Sequence, residues 1–247
     1  MRSLLIALLL LSSTAFSQQV LVKEVRARPR AKFYNVKDTT IIYPLITTKN
    51  TAISKSINEK IRTTIFDEAD EKTTLRKDIS HALDQGLINL SYEVTFKKNG
   101  ILSLSIYKEA CGAYCDSYYT YFNFDLRTGE SFELNDLVDP HKLDSFSNIV
   151  LNDKTAFLKK YKEEEKGNIG EDNIDTAAYE WIIEQVDNCM KTVNLNEFIL
   201  SGDHLEIRDP CEFPHVIRSQ EPTYELKYSY SYLSAFLKPA YRVRLLK

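Results

Sequence analysis

The sequence predicts an α+β domain in which an antiparallel sheet packs against helices, most simply as one mixed domain. Three observations carry that expectation. Segments with period-two alternation lie in the middle of the chain and again near its end. Apolar residues spaced by four fill the stretches between and before them. The two kinds of segment come in blocks, with no regular strand–helix–strand repeat and no glycine-rich phosphate loop after a strand.

In chain order, the first segment is a targeting signal. Arg2 precedes an apolar stretch from Leu4 to Leu11, and small residues Ala15 and Ser17 precede Gln18. These are the parts of a secretory signal peptide over residues 1–17, cleaved after Ser17, and the apolar stretch is too short for a membrane span. No cysteine follows closely, which argues against a lipid anchor. Residues 18–32 read as a polar N-terminal lead, Arg-rich from Lys23 to Lys32, and the domain is expected over 33–247. Strands are expected around Lys32 to Asn35 and Thr39 to Tyr43, with Pro44 as an interruption. Asn50 to Asp67 reads as a helix with Ile53, Ile57, Ile61 and Ile65 on one stripe. The acidic run after it lacks metal-loop spacing and reads as solvated surface. Leu75 to Leu87 reads as a second helix, with His81 between its apolar positions as a surface or satisfied histidine.

The organising stretch runs from Asn89 to Leu137. Leu90, Tyr92, Val94 and Phe96 alternate with polar residues, as in a strand with one face on a core. Lys98-Asn99-Gly100 then offers a hairpin turn, because Asn and Gly accept a positive φ. Ile101 to Tyr107 forms the return strand, with Leu102, Leu104 and Ile106 on one side and Ser103 and Ser105 on the other. Tyr118 to Leu126 is a third, aromatic-rich strand ending in a turn. Beyond it, a helix is expected from His141 to Lys162, a break over Gly167 to Asp175, and another helix carrying Tyr179, Ile182, Ile183 and Val186, with Trp181 on the same apolar boundary. In the break, Asp172 and Asp175 lack the spacing of a calcium loop. The end of the chain reads as a hairpin from Phe198 to Arg208 turning at Gly202-Asp203, a strand from Glu225 to Tyr230, a short helical turn from Ser231 to Phe236, and a last strand from Ala240 to Leu246.

Composition narrows the function classes. The net charge is −3, and losing Arg2 with the signal makes it one unit more negative, so nothing points to nucleic acid. The four cysteines form an even set in a chain expected to leave the cytoplasm, which favours disulfides. Three pairings exist in principle. Proximity favours Cys111 with Cys115, closing a short loop between strands, and Cys189 with Cys211, joining the last long helix to the terminal hairpin. A redox pair is the alternative at Cys111 and Cys115, but the spacing is not Cys-x-x-Cys and no helix N-terminus lowers a thiol pKa. Zinc is a further alternative, less favoured in an oxidising compartment. No cofactor and no metal site is expected.

Four short segments, agreeing in order, carry a family resemblance: Tyr43-Pro44-Leu45-Ile46; Asn99-Gly100-Ile101-Leu102-Ser103-Leu104; Tyr121 through Glu130; and Phe132-Glu133-Leu134-Asn135-Asp136-Leu137. Together they resemble the extracytoplasmic DUF3298/DUF4163 type of domain, as in lysozyme-sensing anti-sigma factors of the RsiV family and beside some peptidoglycan deacetylase domains. The resemblance covers about Phe33 to Leu246. The family pattern has a Gly-Gly-Ala-His-Gly-like segment where this chain has Cys111-Gly112-Ala113-Tyr114-Cys115, so Tyr114 stands in place of a histidine. A contact made there by imidazole elsewhere in the family is one this chain cannot repeat. What the resemblance implies is export and fold more than regulation or peptidoglycan chemistry.

The functional expectation is an exported cell-envelope binding or sensing domain without its own catalysis and without a stable membrane span after signal removal. Its partner would be a cell-envelope or secreted protein or glycan. Tyr114, Tyr118 and Tyr119 are the candidate contacts, because tyrosine joins apolar area to a hydroxyl and these three flank a constrained loop. Two alternatives stand beside this one: a structural envelope module, and an envelope hydrolase using His204 or His215 with Asp209 or Glu212. Neither a His-Glu-x-x-His nor a Gly-x-Ser-x-Gly arrangement supports the hydrolase.

Overall fold

The computed structural model describes residues 20–30, 40–66, 69, 72–167 and 176–246. The signal segment, the strand expected around Lys32 to Asn35, and Asp172 and Asp175 lie outside the described residues.

Six strands form one sheet in sequence order: β1 (Leu21–Ala27), β2 (Ile41–Thr47), β3 (Leu87–Lys98), β4 (Ile101–Cys111), β5 (Cys115–Asp125) and β6 (Glu130–Ser131). Neighbours are antiparallel except β2 and β3, which run parallel and are joined by helices α1 (Thr51–Ile65) and α2 (Leu75–Asp84). A parallel pair needs such a crossover, whereas hairpins serve the rest. Asn50 caps α1, its side chain accepting from the Ala52 and Ile53 amides.

Alternation on β4 and β5 builds the first core. Leu102, Leu104, Ile106, Phe122 and Phe124 pack with Ile53, Ile57, Ile61 and Ile65 of α1, all buried. A second, three-stranded antiparallel sheet covers the opposite face: β7 (Phe198–Leu200), β8 (His204–Ile207) and β9 (Leu226–Ser229). Helices α3 (Leu134–Leu137), α4 (Leu143–Gly167), α6 (Tyr230–Leu233) and α7 (Pro239–Leu245) adjoin this second core, which includes Phe146, Phe198, Leu205, Tyr228 and Leu237. Helix α5 (Thr176–Cys189) packs on α4 in a third cluster with Phe213 and Ile217.

The double cover explains the buried serines of β4. Ser103 has 0% exposure. Its hydroxyl donates to Asn123 Oδ1 at 2.7 Å and accepts the Leu200 amide at 3.1 Å, while Asn123 Nδ2 donates to the Phe198 carbonyl at 2.9 Å. A buried polar pair thus fastens the second sheet to the first, each group with a partner.

Several elements differ from expectation, each for a physical reason. Lys23 to Lys32, read as a polar approach, begins as strand β1, paired with β2 along seven positions from Leu21↔Thr47 to Ala27↔Ile41. It is an edge strand, and charged residues suit an edge. Strand β2 runs through Pro44 because it meets β3 only at Ile41↔Leu90, so beyond that point its far side has no ladder for a proline to break. Helix α1 fills the gap instead: the Ile46 amide donates to Asn58 Oδ1 at 2.8 Å and Asn58 Nδ2 donates to the Ile46 carbonyl at 2.7 Å. Phe96 leaves the face of Leu90 because the register shifts between Val94 and Phe96, and it joins the second core. Helix α2 ends at Asp84, and Leu87 starts β3. Trp181 is half-exposed, off the apolar boundary that Ile182 and Val186 make.

The expected last strand, Ala240 to Leu246, is instead α7. Its alternating pattern is outweighed by Pro239 in the first helical turn and by what Arg244 reaches. The Arg244 guanidinium donates to the Asn99 and Gly100 carbonyls and pairs with Asp125 at 2.8 Å, while Asn99 Nδ2 donates to the Arg244 carbonyl at 2.6 Å. The Asn99-Gly100 turn, with φ of 52° and 76°, is thereby clamped by the C-terminal helix.

Candidate functional site

Strands β4 and β5 extend past the cores as a long hairpin whose tip carries the candidate residues. Cys111 and Cys115 are direct partners in the ladder and are joined by a disulfide, closing the loop Gly112 to Tyr114. The base of the tip rests on Gly86. Its φ is +104°, and an added Cβ would lie 2.1 Å from the Cys111 carbonyl oxygen, so only glycine fits. The Cys111 amide donates to the Gly86 carbonyl at 2.9 Å.

The tip docks onto the 3-10 segment His215–Gln220. The Tyr114 ring lies 4.8 Å from the His215 ring, and the Arg218 guanidinium pairs with Asp116. That hydrogen bond holds the Asp116 carboxyl below the usual carboxylate range. Phe213 and Ile217 anchor the segment in the third core, and the Cys189–Cys211 disulfide ties its approach to α5.

Tyr114, Tyr118 and Tyr119 are 63%, 44% and 56% exposed, but they do not form one surface. Successive residues of a strand point to opposite faces. Tyr118 shares a face with its partner Lys108, whose ammonium lies 5.4 Å from the ring centroid. Tyr119 lies on the other face, 5.1 Å from Tyr107 and 6.2 Å from Tyr121 between ring centroids. Tyr121 belongs to the same run of tyrosines in the sequence, whereas sequence reasoning missed Tyr107 as a companion of Tyr119. The Cys111 to Cys115 pairing itself fixes the register that sets Tyr107 opposite Tyr119, so that signal was present. It also missed Arg218 and the 74% exposed Val216, and it set His215 in the hydrolase alternative and not at the tip, because the closeness of this segment to the tip is a long-range contact with no local signal.

The residues of the hydrolase alternative have separate partners. His204 Nδ1 pairs with Asp203 at 2.9 Å, and His215 meets Tyr114. Asp209 is taken by Lys154 Nζ at 2.6 Å, both side chains buried, and the Lys154 ammonium also donates to the Thr192 carbonyl. The Glu212 amide donates to Glu221 Oε1 at 2.8 Å. Burial, with Glu212 and Asp209 close by, pushes the Glu197 carboxyl up. Among the described residues no group of three or more His, Cys, Asp or Glu is placed to hold a metal ion. His81 lines a cleft of about 270 Å³ with Phe66, Asp78, Gln85 and Lys108, beside the buried Arg62–Asp78 ion pair at 2.6 Å. Among the described residues no helix is long and apolar enough to cross a membrane.

No family profile and no curated protein matches the sequence. Solved structures do. A DUF3298 family protein from Bacteroides fragilis superposes with a TM-score of 0.54 at 13% identity, over 90% of this chain and 94% of that one. A DUF3298 family protein from Pseudomonas aeruginosa gives a TM-score of 0.47 at 14% identity, over 90% and 95% of the two chains. The chain shares the fold of the Bacteroides DUF3298 protein over 90% of its length.

Proposed function

We propose that this chain is an exported binding module of the DUF3298 type, directed to its compartment by residues 1–17, which binds a cell-envelope or secreted protein through the docked tip of its β4–β5 hairpin. The observation that carries this reading is the exposure of Tyr114, on a loop held by a disulfide and by the Tyr114–His215 and Asp116–Arg218 contacts, and of Tyr118 on the adjoining strand β5. A rigid aromatic patch loses little conformational entropy when it is covered. Val216 adds apolar area beside His215, and the Asp116–Arg218 pair supplies a charged rim, the mixture typical of a protein interface. Two disulfides support a compartment outside the reducing cytoplasm. A role as a sensor, like that of the RsiV-type domains which the sequence resembles, requires that partner binding be transmitted, and belongs to the same proposal.

The test is capture of a partner from envelope extracts with the oxidised, signal-free protein, followed by affinity measurement with the purified partner. Tyr114→Ala and Tyr118→Ala should each weaken binding at least tenfold, about 1.4 kcal/mol. Wild-type affinity in both folded variants overturns the assignment of the surface. Turnover of an envelope substrate by the purified protein alone overturns the classification as a binding module.

A further inference from the structure

We propose that the face of the β4–β5 hairpin opposite Tyr118 is an oligosaccharide-binding platform built from Tyr107, Tyr119 and Tyr121, with Arg208 and Glu206 at its foot. The three tyrosines are brought together by the ladder alone. Tyr119 and Tyr121 are two apart on β5, and Tyr107 is the cross-strand partner of Tyr119. The rings of Tyr119 and Tyr121 are parallel to within 6°. Tyr119 lies over half exposed, whereas Tyr107 and Tyr121 are partly buried, so the platform slopes into the corner where the second sheet meets the first.

At that corner the Arg208 guanidinium sits 6.0 Å from the Tyr121 ring centroid and 3.1 Å from Glu206 Oε1. Glu206 is buried, and its contact with Arg208 is an ion pair not aligned as a hydrogen bond, so Glu206 Oε1 and Arg208 Nε keep unused hydrogen-bonding capacity. An unmet acceptor and donor beside an aromatic platform is a costly arrangement unless something polar completes it. Along the upper rim the Tyr107 hydroxyl donates to Glu109 at 3.4 Å. Burial pushes the Tyr121 hydroxyl up to about 12, which keeps it a neutral donor and acceptor at any physiological pH.

The ligand class follows from this chemistry. Flat aromatic faces accept the C–H face of a sugar ring, while carboxylates, a guanidinium and phenolic hydroxyls accept and donate to its hydroxyls. The carboxylates Glu109, Glu197 and Glu206 around the rings oppose a polyanion such as nucleic acid. The inference shares Tyr119 with the residues first singled out but does not rest on the protein-binding reading, since Tyr118 points the other way.

The experiment is an NMR titration of the oxidised protein with uncharged tetrasaccharides, chitotetraose and cellotetraose among the β-linked ones and maltotetraose as an α-linked one. At least one should bind and shift Tyr119 and Tyr121 resonances. Tyr119→Ala should weaken that binding at least tenfold and Tyr119→Trp should preserve it. Tyr118→Ala, on the opposite face, should leave it within twofold. Absence of binding by all three sugars overturns the proposal, as does equal loss from Tyr118→Ala and Tyr119→Ala in variants with wild-type thermal transitions. Either failure leaves the Tyr114 and Tyr118 partner test untouched, because that test reads a protein complex.

Discussion

Asn123 holds two layers together with one amide. Its oxygen takes the Ser103 hydroxyl and its nitrogen serves the Phe198 carbonyl, all buried between the sheets. Asn123→Ala therefore strands a buried carbonyl and unsettles a buried hydroxyl, and should cost about 1–3 kcal/mol in urea unfolding. A loss within 0.5 kcal/mol, about the spread of surface substitutions, would mean water replaces the amide. Asp125 makes a second prediction. Burial alone would raise its carboxyl, but hydrogen bonds from Arg127 and Arg244 outweigh it and bring it down to about 2. A folded-state value below the unfolded one means that the stabilisation is complete above the unfolded pKa near 4 and disappears as pH falls toward 2. Thermal midpoints measured from pH 6 to pH 2.5 should fall less steeply for Asp125→Asn than for the wild type, although the variant starts lower. Parallel curves would dissociate Asp125 from the acid sensitivity.

Among the elements, the two disulfides close loops of very different span, with sequence separations of 4 and 22. On the loop-entropy account they stabilise by about 2 and about 3 kcal/mol respectively. Replacing Cys189 and Cys211 by serine should thus lower global stability more than replacing Cys111 and Cys115, and guanidinium midpoints of the two double variants would show the order. The reverse order would place native-state strain or denatured-state structure above loop entropy. The strands of the central hairpins were legible because alternation and an Asn-Gly turn are local signals that the register confirms. Helix α7 was not. Tyr241, Val243 and Leu245 alternate with Ala240, Arg242 and Arg244 as a strand would, and what decides otherwise is the reach of Arg244 to a turn 144 residues away. The shift of Phe96 to the second core was hidden for a related reason, since a bulge is specified by the partner strand as much as by its own sequence.

At the scale of the whole molecule, β3 to β5 serve both cores, so neither can melt while the other stays. Leu104→Ala on the α1 side and Phe198→Ala on the second-sheet side should each cost about 2–5 kcal/mol and lower one shared calorimetric transition. Two separable transitions would show that the cores unfold independently. Of the candidate site, the sequence made the tip and its disulfide legible, because Cys111 and Cys115 lie on one hairpin. Its partners His215 and Arg218 come from beyond 100 residues away, and nothing local marks them. The bond between Asn58 and Ile46 bears on the molecule's behaviour in a crowd. The side of β2 away from β1, without a ladder beyond Ile41, is a template on which another chain could add a strand. By occupying the Ile46 amide and carbonyl, the side chain of a helix makes that template unreadable. Asn58→Leu should leave a folded protein that self-associates with rising concentration, visible as a growing sedimentation coefficient, and the guard would then be a device for remaining single as much as for remaining folded.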